Sequence, residues 1–180
     1  MDDLPTIAFS TTLYSIDGWV ILHVPENASK ELPSRGQVMV KGVINNTPFT
    51  APLEPDGRWS HWLHIDDSLE KAIHATTGDT VSVALSPIKE WSEPNVPDDI
   101  STALAAHPQA HALWNTVTPL AHWEWVRWIR STNSEATRRH RIEVACSKLE
   151  AGERRPCCWN RNLSTEPLVS KSGILREPTV

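Results

Sequence analysis

Apolar residues in the first ninety positions fall at every second site, in short runs broken by turn chemistry. Residues 10–15 and 19–24 read as strands around Ile16-Asp17-Gly18, where Asp-Gly is a hairpin signal. Residues 38–44 (VMVKGVI) form a third strand, with Gly42 marking a bulge or bend. Asn45-Asn46 turns the chain into 47–53, whose two prolines predict an edge or broken strand. Glu54-Pro55-Asp56-Gly57 is another turn, and Trp59, His61, Leu63 and Ile65 alternate with Ser60, Trp62 and His64. Val81, Val83 and Leu85 line one face of a last strand.

Two stretches of this region resemble one another. HVPENASKELPSRGQVMV from His23 and HIDDSLEKAIHATTGDTVSV from His64 each run from a strand end through an acidic stretch to a Gly and a Val-x-Val strand. The offset drifts from 41 at Val24/Ile65 to 43 at Val38/Val81. A strand–short helix–strand unit cannot bury its apolar face alone. Two copies about a pseudo-two-fold axis close into a small barrel with few exposed edges.

Beyond Pro94 the period becomes helical. Residues 93–97 (EPNVP) have a linker's composition. Asp98-Asp99 cap a short helix with Ile100, Ala103 and Leu104 on its stripe, and Pro108 opens a second carrying Ala112 and Leu113. Thr118-Pro119 starts a helix with Leu120, Trp123, Val126 and Ile129 on one face, widened by Trp125 and Trp128. Ser134 caps the last helix (Ile142, Ala145, Cys146, Leu149), and Gly152 sits where a left-handed C-terminal residue belongs. Residues 160–180 read as a flexible tail. The fold class is α+β: a β-barrel over 6–90 and a helical module over 96–152.

Charge divides along the same line. Residues 1–119 hold 6 Lys/Arg against 15 Asp/Glu, a balance of −9, while 120–161 hold 9 against 5, or +4. The acidic front disfavours nucleic acid as a partner. No apolar run approaches the ~18–20 residues that span a bilayer. The acidic start, MDDLPTIAF, lacks the basic region of an export signal, and an odd count of 3 cysteines is no disulfide framework, so the expected location is cytoplasmic.

Candidate chemistry is sparse. There is no Gly-rich phosphate loop, zinc-protease helix or serine-elbow pentapeptide, so no catalytic residue and no cofactor is expected. Cys157-Cys158 lacks C-x₂-C spacing and a neighbouring His, so no metal site is expected, although flanking arginines favour thiolate. Cys146 belongs to the helix stripe. His61 and His64 face opposite sides of their strand and cannot chelate together. Arg138, Arg139 and Arg141, with Trp128, are the candidate ligand-binding residues. They hold an anionic ligand, or they dock in cis on the acidic barrel.

Residues 10–85 resemble the bacterial family called domain of unknown function 1905. The marks are Trp19, Val24-Pro25, the strand from Gly36 to Gly42, Asn45 to Phe49, and Gly78-Asp79 with Val81 and Val83; Asn46 stands where the family has Gly. The resemblance implies a double-split β-barrel. Residues 96–160 are similar to the bacteriocin-protection, YdeI or OmpD-associated family through VPDDISTALAAHPQAHALW, TPLAHWEWVRWI and EATRRHRIEVACSKLEAGERRPCCW. That resemblance implies tolerance to antimicrobial peptides or envelope stress and transfers no catalytic residues. The reading is a non-enzymatic cytosolic binding or stress-tolerance protein whose partner is an anionic ligand or another protein. The alternative is a small-molecule or catalytic pocket inside the barrel, lined by His and Trp.

Overall fold

Residues 5–132, 134–156 and 166–179 are described by a computed structural model. Seven strands, β1 (Ile7–Thr12), β2 (Tyr14–Ile16), β3 (Trp19–Val24), β4 (Val38–Ile44), β5 (Thr47–Pro55), β6 (His61–Ile65) and β7 (Thr80–Pro87), pair in the order β1-β7-β4-β5-β6-β3-β2, all antiparallel. The two ends of this sheet, β1 and β2, are consecutive in the chain and separated only by Leu13, so the sheet curls into a barrel. Its interior is aliphatic: Val20, Leu22, Val24, Val40, Leu63, Ile65, Val81 and Val83 are all buried there.

The two sequence repeats adopt one topology. β3, α1 (Glu26–Ser29) and β4 match β6, α2 (Asp67–Ile73) and β7, while the chain through β1 and β2 corresponds to β5. Equivalent strands pair with each other, β3 with β6 and β4 with β7. Leu22 faces Leu63 and Gly42 faces Leu85, residues that are also each other's repeat equivalents. The pseudo-two-fold axis therefore passes through these two pairs. At the second, a Cβ on Gly42 would lie 2.1 Å from the Ala84 carbonyl oxygen, so only glycine permits the approach.

Turn chemistry follows the residues. Asp17 (φ 48°) and Gly18 (φ 83°) make the β2–β3 hairpin, and Asn45 (φ 46°) and Asn46 (φ 65°) make the β4–β5 turn. β5 lies inside the strand order, yet over residues 47–53 it pairs only with β4 and meets β6 at Glu54 and Pro55. Pro48 and Pro52 therefore occupy a stretch that is an edge on one side, the position their missing N–H requires.

The helical unit contains α3 (Asp98–Ala106), α4 (Pro108–Trp114), α5 (Pro119–Arg130) and α6 (Glu135–Glu150). Thr118 and Ser134 cap α5 and α6 through Ala121 N and Thr137 N, and Gly152 (φ 90°) ends α6, with Glu153 N bonding the Lys148 carbonyl. Three expectations need correction. Ala112 is exposed and the buried face of α4 is Ala110 and Trp114. Trp125 is the fully buried tryptophan of α5, whereas Trp123 and Trp128 are half-buried. The stretch 91–97 is no loose linker. Trp91 packs edge-on against Trp123, whose Nε1 donates to the Ser92 carbonyl, and Glu93 bonds His122 Nδ1 at 2.6 Å.

Of the expected tail, 160–165 and 180 lie outside the described residues. Residues 168–179 lie with the barrel, where Leu168 and Leu175 pack with Ile16, Ile21 and Trp62 on the outer face of β2, β3 and β6. A bridge between Val169 and Leu175 folds this strap on itself, and Arg176 pairs with Asp17 at 2.5 Å. Two aliphatic residues give no period to read. What holds the strap is the apolar face waiting for them.

Candidate functional site

Polar groups gather at one mouth of the barrel, where the β5–β6 turn meets α1 and the loop after it. His61 is wholly buried. Its Nε2 donates to the Gly36 carbonyl at 2.8 Å, which leaves Nδ1 to accept from the Ser29 hydroxyl at 2.7 Å. Burial pushes the imidazole pKa down, in keeping with this neutral tautomer. Arg35 closes the group: Nη1 donates to Ser29 Oγ (3.2 Å) and to the Trp59 carbonyl (3.1 Å), and Nη2 to the Ser29 and Leu32 carbonyls. Gln37 donates to Glu54 Oε1 at 3.0 Å beside it.

The adjoining turn is organised by Asp56, only 3% exposed. One carboxylate oxygen accepts from the backbone N–H of Arg58 (2.7 Å) and Ser60 (2.9 Å); the other bonds His23 Nε2 at 2.8 Å. Burial opposes ionisation here, but the His23 and backbone hydrogen bonds outweigh it and hold the carboxyl down to about 2. The Asp56 carbonyl accepts from Leu175 N, and Arg58 Nη1 donates to the Leu175 carbonyl, so the strap clamps the turn from outside. At its tip Trp59 adopts φ 73° and is 76% exposed.

In the helical unit Arg138 and Arg141 turn inward. Arg138 grips Asp99 through Nε (2.6 Å) and Nη2 (2.9 Å), tying α6 to α3 and lowering the Asp99 pKa. Arg141 Nη1 donates to the Trp128 carbonyl and Ser131 Oγ, and its guanidinium lies 5.6 Å from the Trp128 ring. Arg139 is exposed. These bonds of Arg138 and Arg141 lie inside the helical unit. Cys146 is buried and its thiol pKa is raised by burial, as a packing residue requires; Cys157 and Cys158 lie outside the described residues.

Two family models match the chain in tandem: the domain of unknown function 1905 over residues 9–85, and Bacteriocin-protection, YdeI or OmpD-Associated over 93–152. Each match covers less than half of the 180-residue chain. Comparison with curated proteins finds no match. The first match ends within β7, and the second begins at Glu93, the residue fastened to His122. Among the described residues no helix is long and apolar enough to cross a membrane.

The sequence reading placed no functional weight on Ser29 or Arg35, and reached His61 and Trp59 only through the alternative of a barrel pocket lined by His and Trp. One signal was available. At the offset of 41, His61 aligns with Val20, so the repeat breaks its own pattern by placing an imidazole where its twin has an aliphatic side chain.

Proposed function

We propose that the chain is a non-enzymatic cytoplasmic binding protein that contributes to bacteriocin or antimicrobial-peptide tolerance. The observation that carries this reading is the sealing of its most catalytic-looking constellation. A serine within 2.7 Å of a histidine is a nucleophile–base pair in form, yet Ser29 and His61 are each 0% exposed. The ring is matched on both nitrogens and the hydroxyl is held by Arg35. A substrate carbonyl has no approach, so the group acts as an anchor that fixes the barrel mouth. Recognition groups are what reach solvent: Trp59 on the barrel, and Arg139 with the half-buried Trp128 on the helical unit. A buried free thiol, Cys146, accords with a reducing compartment.

A second reading keeps the arginine face as an anion site, with Arg139 as its exposed charge and Arg138, Arg141 and Trp128 as its frame. The test of both is a thermal-shift screen of the full chain against metal ions, nucleotides, anionic metabolites and cationic peptides. Stabilisation by a ligand that emerges chemically unchanged supports the binding role, and the ligand's charge separates the two surfaces. Turnover of any ligand that Ser29→Ala abolishes while the fold is kept would refute it.

A further inference from the structure

One cation stands in the middle of the sheet without a counter-charge. Across β1, β7, β4 and β5 the charged residues are Lys41 and Glu54, and Glu54 is buried and accepts from Gln37. Lys41 is exposed and makes no ion pair with any described residue. On an edge strand a lysine guards against pairing with another chain, but β4 is paired on both sides, with β5 and with β7. Its cross-strand neighbours do not balance it either. Thr50 on β5 and Ser86 on β7 stand directly opposite Lys41, and Ser86 Oγ lies 3.4 Å from Thr6 Oγ1. A cation beside three hydroxyls offers an incoming anion one charge and further hydrogen-bond donors.

Beside Lys41 the surface sinks. Lys41, Thr6, Thr50 and Ser86 line a hollow of about 440 Å³, together with the apolar Val43, Pro48 and Phe49. That volume falls within the ~300–1,000 Å³ of small-molecule sites. The hollow originates in the repeat. Its lining includes Gly42 and Leu85, the pair on the pseudo-two-fold axis, and at the offset of 43 that relates those two, Lys41 is equivalent to Ala84. One half of the barrel thus supplies a long cationic side chain and the other a methyl group, and the room a second lysine would fill is left open. An exact two-fold would set two like charges about the axis. Here a single charge stands to one side of an apolar-walled hollow, an arrangement that orients a molecule with one anionic end and one apolar end.

We propose that the hollow at Lys41 binds a small carboxylate with an apolar body, the carboxylate on Lys41 and the Thr50 and Ser86 hydroxyls, the body against Val43, Pro48 and Ala84. The proposal goes beyond the tolerance role above and concerns a different surface from the arginine face. The probe is benzoate, titrated into the full chain and followed through its nitrogen–proton amide correlation spectrum. Expected are saturable shifts centred on Lys41, Thr50, Ala84 and Ser86. Lys41→Met should weaken binding at least about tenfold, the effect of losing one charge-assisted hydrogen bond, while Lys41→Arg keeps most of it. Ala84→Leu fills the hollow and leaves the charge in place, and it should weaken binding by a similar factor; the dispersion of the spectrum reports that each variant is folded. Benzamide keeps the ring without the charge and inorganic phosphate keeps charge without the ring, so each should bind at least about tenfold more weakly than benzoate. Undiminished binding by Lys41→Met, or equal binding of benzamide, would overturn the role of the charge. Undiminished binding by Ala84→Leu, or equal binding of phosphate, would overturn the apolar hollow. Shifts centred elsewhere, or no shifts, would overturn the site and leave the tolerance role to the ligand screen.

Discussion

Ser29 illustrates how much a single hydroxyl holds. Its replacement by Ala removes a methyl-sized volume at most, yet leaves the buried His61 Nδ1 without a partner and takes one acceptor from the half-buried Arg35. Urea unfolding of Ser29→Ala should show a loss of about 1–3 kcal/mol, the penalty for orphaned buried polar groups. Two titrations shape the acid limb of stability. Burial lowers the His61 pKa below the ordinary ~6.5, so on acidification the unfolded chain takes up a proton there before the folded one does. Stability should therefore decline as pH falls from ~7. Asp56 works lower down: its carboxyl titrates at about 2 when folded and at ~3.9 when unfolded. Its contribution is whole above ~4 and disappears as pH falls toward 2. Denaturation curves between pH 7 and 2 should show both declines, and Asp56→Asn should weaken the lower one, leaving the share of Asp99, whose pKa Arg138 also lowers.

Among elements, α5 carries the helical core. Trp125 is wholly buried, stands edge-on to Trp128 and donates Nε1 to the Arg154 carbonyl at 3.1 Å. Trp125→Ala should lose about 3–5 kcal/mol and Trp128→Ala, half-buried, distinctly less, by the same denaturation measurement. Arg138→Ala, which breaks a partly exposed pair with Asp99, should lose no more than about 1 kcal/mol. The helices were legible because Thr118-Pro119, Ser134 and Gly152 punctuate them with residues that local hydrogen bonding demands. The strand–helix–strand repeat was legible because each half obeys the same alternation. Which tryptophan of α5 turns inward was not, since a stripe widened by Trp125 and Trp128 admits more than one rotation of the helix. The polar anchor was hidden for another reason. Ser29 and Arg35 are near neighbours in the chain, but His61 lies 32 residues beyond Ser29 on β6, and only the fold of the barrel brings it within hydrogen-bond distance.

At the scale of the whole chain, the strap keeps an apolar sheet face from water. A chain ending at Pro156 should expose Ile16, Ile21 and Trp62, bind anilinonaphthalene sulfonate and self-associate in sedimentation, while the full chain does neither. The pseudo-two-fold axis has a consequence of a different order. A pair of identical chains assembled about that axis would present every residue twice, so an imidazole at one mouth would be obligatory at the other. Leu22 and Leu63, facing each other across the axis, still look like such a pair. Two halves within one polypeptide are free of that constraint, above all at positions away from the axis. Val20 is aliphatic while its repeat equivalent is His61, so the two mouths of the barrel differ in chemistry at that position.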